Sequence, residues 1–204
     1  MTEANDDSKV WQQLRRIGTW LRANYDENST SNLLFNRPAN EEDVVFLENQ
    51  IGLKLPRQLS SLLRYCNGFR QGYYPMPMKE TDPTKWRILS TIEIFELWQM
   101  LCSIDAQVEF SHDIKVMGHV QPVWWTSKWL PIADCGMGDV ICVDMEPAAG
   151  GEIGQLIQYM HDFAQRRVVY SSILEWLHES AEDLESDLYV YEPGVGLMNN
   201  GSPR

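Results

Sequence analysis

The sequence predicts an α+β fold in which helices pack against a central, mainly antiparallel sheet, with N-terminal helices before the strands and a closing helix after them. Three observations lead to this prediction. Apolar residues recur at helical spacing up to about residue 101, short β-prone runs separated by turn residues follow from residue 114, and helical spacing returns at residue 173. Because helices and strands segregate along the chain, we expect one domain over 1–204, with its core at about 41–185 and short flexible ends.

The first helix is predicted from apolar periodicity. Apolar residues recur every three or four positions from Val10 to Leu21. This spacing indicates a helix over about 8–23, with Asp7 or Ser8 as its N-cap. A loop rich in Asn and Ser follows it.

Two shorter helices come next. Asn40 precedes three acidic residues, and acidic residues in a first turn after such a cap favour the start of a helix. This helix is expected to end at Gly52. The following helix is expected to start at Leu55 and Pro56 and to stop at Asn67-Gly68, because glycine readily adopts the left-handed conformation that ends many helices.

The remainder is predicted to hold strands and two further helices. A strand over 85–90 precedes a helix over 92–101. Further β-prone runs lie at 114–120, 129–132, 140–143, 154–160 and 167–170. The short gaps between them favour antiparallel pairing, because a parallel crossover needs about a dozen residues or more. Ser171 or Ser172 is expected to cap the closing helix, and 198–204 is expected to form a tail.

The charge of the chain limits its partners. Seventeen Lys and Arg against 29 Asp and Glu give a net charge of −12. This balance argues against direct binding of nucleic acid, which needs a concentrated positive field. The acidic excess lies mainly in residues 129–204, with 13 acids and 3 bases. A basic protein partner is the natural complement.

The sequence also gives expectations about the compartment. No stretch is apolar and long enough to span a bilayer, and the acidic start of the chain does not resemble a secretory signal. We therefore expect a cytoplasmic protein without membrane contact. Its four cysteines form no CxxC pair, so buried, reduced thiols are expected, although Cys135 and Cys142 could meet across a hairpin.

Four carboxylates near one predicted hairpin are candidate partner-binding residues. Asp134 and Asp139 flank a Gly-Met-Gly turn, and Asp144 and Glu146 share one face of the next strand under period-two alternation. No Lys or Arg occurs nearby in the sequence. We predict that these side chains form a negative lobe that meets a cationic surface.

Two adjacent tryptophans are the candidate apolar anchor. Neighbouring residues on a strand point to opposite faces, so one of Trp124 and Trp125 is expected to lie in the core. The other is then a candidate for an exposed anchor at a protein interface.

Catalytic signatures are missing from the sequence. The metalloprotease, serine-hydrolase, P-loop and dinucleotide-binding motifs do not occur. Asp139, Asp144 and Glu146 could cradle a divalent ion, but this run lacks the glycine and the dense oxygen ligands of a calcium loop. We predict that the protein is not an enzyme and binds no cofactor or metal. The alternative is a metal-dependent hydrolase that uses these acids.

Two blocks of sequence carry a resemblance to a known family. The run from 129 matches W-x-P-I-x-x-x-G-x-G-D and is followed at 151 by G-x-x-G-Q, while 48–56 matches E-x-x-L-G-x-x-L-P with Ile at its fourth position. Together they resemble the Smi/Knr-type cell-wall assembly regulator domain of the SUKH superfamily. The residues that match its signature are Trp129, Pro131, Gly138, Asp139, Gly151 and Gln155.

This resemblance implies an α+β domain that binds proteins rather than an enzyme. Many bacterial members are immunity proteins that neutralise a polymorphic toxin, often a nuclease, whereas fungal members coordinate cell-wall synthesis with signalling. Short ends and strong acidity favour the immunity branch. We therefore predict an immunity protein that binds a basic cognate toxin, with a cell-wall scaffold as the alternative. The oligomeric state and the roles of the signature residues stay open.

Overall fold

The computed structural model describes residues 3–25, 34–78, 84–107, 113–192 and 195–200. Within these ranges the helices are α1 (Glu3–Asn24), α2 (Glu41–Ile51), α3 (Arg57–Tyr65), α4 (Thr91–Gln107) and α5 (Ile173–Glu185). The strands are β1 (Arg87–Ile88), β2 (Lys115–Met117), β3 (Trp129–Asp134), β4 (Val140–Asp144), β5 (Leu156–Tyr159), β6 (Gln165–Tyr170), β7 (Tyr189–Glu192) and β8 (Gly196–Asn199). The predicted α+β class is confirmed.

A six-stranded sheet with the order β1-β3-β4-β5-β6-β2 forms the centre of the fold. Its neighbouring strands run antiparallel, except that β2 lies parallel to β6 at one edge. The prediction of antiparallel pairing is therefore wrong for β2. The argument from short gaps does not apply to it, because β3, β4 and β5 lie between β2 and its partner in the sequence.

Both faces of the central strands β3, β4 and β5 are buried. Because side chains alternate along a strand, Leu130, Ile132 and Ile141 belong to a large core cluster with residues of α1, α2, α3 and α5. The opposite side chains, such as Trp129 and Cys142, belong to a smaller cluster with residues of α4 and of the segment before β3. The residues of the smaller cluster are Leu101, Val120, Trp125, Trp129, Val140, Cys142, Ile157 and Tyr159.

Helix α1 packs across α3 and α5. Its predicted apolar stripe is fully buried, with Val10 and Leu14 at 0% exposure. The helix already begins at Glu3, so the prediction of Asp7 or Ser8 as N-cap is wrong. The Asp7 carboxylate instead accepts a hydrogen bond from Arg57 of α3 at 2.7 Å. Since the large cluster extends from Val10 to Leu197, it continues on both sides of the predicted core region and supports our proposal of a single domain.

The short helices have the predicted starts. The Asn40 side chain accepts a hydrogen bond from the Asp43 amide at 2.8 Å, and Gly52 ends α2 with φ +68°. The predicted stop of α3 is wrong, because this helix ends in an extended Cys66. Gly68 serves a close approach instead, since a Cβ there would lie 2.5 Å from the Ser90 nitrogen.

The C-terminal region differs most from the prediction. Ser172 caps α5 as expected, accepting a hydrogen bond from the Glu175 amide at 3.2 Å. The expected tail, however, contributes to a two-stranded hairpin of β7 and β8, and its last residues lie outside the described ranges. Long-range contacts hold this hairpin: the Tyr191 ring stacks on Tyr25 with 3.8 Å between centroids, and the Tyr189 hydroxyl donates to the Met78 carbonyl.

Two smaller predictions can also be compared with the structure. The four cysteines are free thiols, with Cys66, Cys135 and Cys142 buried and Cys102 half-buried. Burial raises the pKa of the Cys66 thiol to about 12. Among the described residues, no helix combines the length and apolar character needed to cross a membrane.

Candidate functional site

The four candidate carboxylates lie at two separate places on the β3–β4 hairpin. Asp134 and Asp139 lie at the turn between the strands, whereas Asp144 pairs with Trp129 at the other end. A strand rises by about 3.3 Å per residue, so roughly 16 Å separates the Cα atoms of Asp139 and Asp144. The structure therefore does not form the single negative lobe that the spacing predicted.

Asp134 is half-buried and is held by an ion pair. Its carboxylate accepts a hydrogen bond from Arg87 of β1 at 2.6 Å, and its second oxygen accepts one from the Gly136 amide at 2.9 Å. Arg87 also donates to Glu93 of α4 at 2.6 Å. Although burial opposes ionisation of Glu93, hydrogen bonds from Ser90 and Arg87 hold its pKa below the usual value. Asp134 thus joins β1, β3 and α4.

Asp139 fixes the turn between β5 and β6. One carboxylate oxygen lies 2.9 Å from both the His161 amide nitrogen and the Nδ1 of its ring. The His161 ring also covers Gly138, where a Cβ would lie 2.9 Å from the ring and where φ is +99°. Glycine is therefore required at this position for both space and backbone conformation.

Asp144 is completely buried, so it is not accessible to a partner. Its carboxylate accepts hydrogen bonds from the Gln155 side-chain amide at 2.9 Å and the Glu146 backbone amide at 3.0 Å. Burial raises the pKa of Asp144 in spite of these bonds. The prediction that this residue contributes surface charge is wrong, because period-two alternation does not show that both faces of the strand are covered.

Gln155 and Gly151 continue the buried network around Asp144. The Gln155 amide also donates to the His119 carbonyl at 2.8 Å, which ties the segment before β3 to the loop after β4. A Cβ at Gly151 would approach the same carbonyl to 2.9 Å and the Gln155 Oε1 to 3.0 Å. We name the side chains of Asp144 and Gln155, the His119 carbonyl and Gly151 the Asp144 network.

The other signature residues also lie where the chain is tightly packed. Trp129 has no exposed surface, and Pro131 lies in β3 immediately before a shift in its register with β4. Six signature residues, Trp129, Pro131, Gly138, Asp139, Gly151 and Gln155, therefore occupy a packed strand, a tight turn or a buried hydrogen-bond network.

Comparison with known proteins extends the match with the signature to most of the chain. The model of the SMI1 / KNR4 family (SUKH-1) matches residues 38–179. The chain belongs to this family. The resemblance inferred from the sequence motifs is thereby confirmed.

Two fungal relatives of this SUKH-1 chain are cell-wall regulators. The cell wall biosynthesis/cell cycle regulator smi1 of Schizosaccharomyces pombe is 27% identical over 193 residues, covering 90% of this chain and 38% of that protein. The cell wall assembly regulator SMI1 of Saccharomyces cerevisiae is 34% identical over 67 residues, covering 33% of this chain and 13% of that protein. The chain thus spans less than half the length of these relatives.

The remaining predicted contact residues of this SUKH-1 chain differ in exposure. Glu146 is exposed, while Trp125 is only 4% exposed and packs edge-on against Trp129 and Tyr159. Trp125 is therefore the core tryptophan of the pair. Trp124 is half-buried rather than an exposed anchor.

Arg166 is a buried residue that sequence reasoning missed. Its guanidinium lies 4.1 Å from the centroid of the Tyr159 ring and 4.9 Å from that of Trp124. It donates to the backbone carbonyls of Trp124 at 2.7 Å and of Phe163 at 2.9 Å. Burial lowers the pKa of Arg166 from its usual value. Arg166 thereby joins the segment at Trp124, before β3, to the turn at Phe163, between β5 and β6. In the sequence, only the aromatic residues near Arg166 could have indicated this role.

A groove of about 620 Å³ adds a concave aromatic surface. Four tyrosines, Tyr25, Tyr73, Tyr74 and Tyr191, contribute to its lining. Burial and the neighbouring tyrosines raise the pKa of Tyr25 well above its usual value. Such a surface can pack against apolar groups and form hydrogen bonds. Spacing along the chain did not indicate this groove, because its tyrosines come from three separate segments.

The positions of the acidic residues can also be compared with the predicted metal site. The predicted alternative used Asp139, Asp144 and Glu146 together, but the length of β4 separates Asp139 from Asp144. Across the ranges described, no group of three His, Cys, Asp or Glu side chains is placed to hold a metal ion.

Proposed function

We propose that this chain is a non-catalytic protein-binding module that acts in the regulation of cell-wall synthesis. The observation that carries the proposal is the extent of the similarity to the smi1 regulator of S. pombe. That similarity covers 90% of the chain, whereas the family model covers 38–179. It therefore reaches into segments that flank the shared family region.

The use of the carboxylates supports binding rather than catalysis. Asp134, Asp139 and Asp144 each accept hydrogen bonds from neighbouring elements, so these side chains connect parts of the fold. Large apolar side chains are nevertheless exposed elsewhere, on helices and loops. Exposed apolar surface rimmed by polar residues is typical of protein interaction sites.

A chimera tests this proposal directly. The matched region of S. pombe smi1 is replaced by this chain, and growth is measured under cell-wall stress in cells that lack the native protein. We expect the chimera to restore growth. A second chimera with Trp129→Ala controls for folding and should fail, because this buried ring supports the sheet. A chimera that accumulates to the native level in folded form but does not restore growth would contradict the proposal.

An immunity protein is the second candidate, favoured by the acidity of the chain. The net charge of −12, with 13 acids and 3 bases over 129–204, suits a basic toxin that degrades nucleic acid. This candidate also places the protein in the cytoplasm, without direct contact to nucleic acid. It predicts one basic toxin that stays bound through a high-salt wash and whose toxicity the chain suppresses. Several partners that a salt wash releases would favour the cell-wall scaffold.

A further inference from the structure

Helices α2 and α4 present large apolar side chains to the surface. Five of them, each 38–50% exposed, are Val45, Phe46, Ile92, Met100 and Ile104. The two helices pack together through Phe46 and Phe95, whose rings meet edge-to-face with 5.8 Å between centroids. We call the exposed surface of these two helices the α2–α4 face.

The apolar residues of α4 form a stripe along this face. Ile92, Glu96, Met100 and Ile104 follow one another at four-residue intervals on one side of the helix, so this row is apolar apart from the exposed Glu96. Ile94 and Leu101 are buried on the opposite side. At about 1.5 Å per residue the stripe is roughly 18 Å long, which matches about three turns of a second helix.

The charges on these helices have one sign. Neither α2 nor α4 contains Lys or Arg, while α2 contains four acids and α4 three. Some of these acids have internal partners, as Glu41 pairs with Arg64, Glu48 with Lys54 and Glu93 with Arg87. Glu42 and Glu96 are exposed, and no ion pair joins them to a cation among the described residues.

We propose that the α2–α4 face binds an amphipathic helix of a partner protein, with its apolar side on the stripe and Lys or Arg facing Glu42 and Glu96. This inference rests on the proposed function and adds the surface and the chemistry of the partner. An apolar stripe on a helix pair accepts a helix whose apolar residues recur at three- and four-residue spacing. The exposed acids favour basic residues beside that spacing.

The charge also decides between possible occupants. A second copy of the chain would bring two acid-only faces together, and an anionic membrane surface would be repelled in the same way. A partner helix that carries positive charge complements both the apolar side chains and the exposed acids of this face.

The experiment begins by identifying the bound segment. A photo-crosslinking amino acid replaces the exposed Gln99 of the full chain in cells, and the cross-linked partner peptide is sequenced. We expect a segment with apolar residues at helical spacing and several Lys or Arg. A cross-linked segment that is acidic or lacks this spacing, or a cross-link to a second copy, would overturn the inference.

Binding of that segment, made as a peptide, is then measured with matched variants. Glu96→Lys combined with Met100→Glu should weaken binding by tenfold or more, and binding to the unchanged protein should fall as salt rises. Glu152→Lys combined with Ile153→Glu makes the same charge changes at another exposed site and should alter binding by less than twofold.

The outcomes separate this inference from the function on which it rests. If partners bind both double variants equally well, the α2–α4 face is not the site and the inference falls, while the proposed function stands. If the unchanged protein retains no partner in cells, the proposed function falls and the inference falls with it.

Discussion

Carboxylates occur both on the β3–β4 hairpin and on the α2–α4 face, but they are used differently. At the hairpin, Asp144 is fully buried and accepts two hydrogen bonds, and Asp139 holds a turn through His161. On the α2–α4 face, Glu42 and Glu96 are exposed beside apolar side chains. The difference teaches that an acidic residue is available to a partner only where the fold has not already supplied its hydrogen-bond donors.

The largest expected effect concerns the hairpin. Trp129→Ala should lower the free energy of unfolding by about 3–5 kcal/mol, because it removes a fully buried ring from the sheet. Urea denaturation measures this change. Trp11→Ala is the matched control, since Trp11 is 41% exposed and its loss should cost much less. Equal costs at the two tryptophans would break the assignment of the hairpin as structural.

The Asp144 network gives the next largest effect. Gln155→Ala leaves the buried Asp144 carboxylate without its side-chain donor, which should cost about 1–3 kcal/mol of unfolding free energy. The same denaturation measurement applies. Gln12→Ala, at an exposed position of α1, should change stability by less than about 0.5 kcal/mol. If Gln155→Ala costs as little as this control, the network does not stabilise the fold.

The pH dependence of stability sharpens the comparison, because Glu93 and Asp144 should contribute with opposite signs. The pKa of Glu93 is lowered in the folded protein, so its contribution is complete above the unfolded value of about 4.3 and is lost as pH falls through the folded value. Glu93→Gln should therefore reduce the loss of stability on acidification. The variant can change the slope of unfolding free energy against pH by at most about 1.4 kcal/mol per pH unit. Denaturation curves at several pH values measure that slope.

Asp144→Asn is the companion variant for this measurement. The pKa of Asp144 is raised by burial, so this group makes the folded state less stable as pH rises from the unfolded value of about 3.9 through the folded value. The variant should remove that decline. If both variants changed the slope in the same direction, the two carboxyls would not differ in the way their surroundings indicate.

The smallest effect on stability is expected at the α2–α4 face. Glu96→Lys combined with Met100→Glu changes two exposed side chains, so the free energy of unfolding should shift by less than about 1 kcal/mol. Thermal and urea denaturation check this expectation. A larger loss would mean that the stripe supports the fold, and it would remove the contrast with the hairpin.

Local signals in the sequence predicted much of the fold. Asn40 and Gly52 delimit α2 because an N-cap side chain and a left-handed glycine act over one helical turn. The parallel pairing of β2 and the β7–β8 hairpin depend on residues far apart in the chain, so spacing did not indicate them. Local rules cannot identify a partner that arrives from a distant segment.

The candidate site was harder to predict than the fold. Residue type singled out Asp134 and Asp144, but their availability depends on Arg87 and Gln155, which lie on other strands or loops. In α4, the exposed apolar residues recur at helical spacing, as the buried apolar residues do. Only packing shows which side of such a helix remains open, because sequence alone does not reveal how many neighbours cover it.

The packing of α1 on α5 has a consequence for synthesis of the protein. Val10 and Leu14 are fully buried, and α1 packs on both α3 and α5, although α5 begins only at Ile173. A ribosome adds about 5–20 residues per second, so roughly 10–30 s pass before α5 can cover its part of α1. Throughout that interval the nascent chain exposes an apolar strip to chaperones, and a message cut short before α5 would yield a product that keeps it exposed.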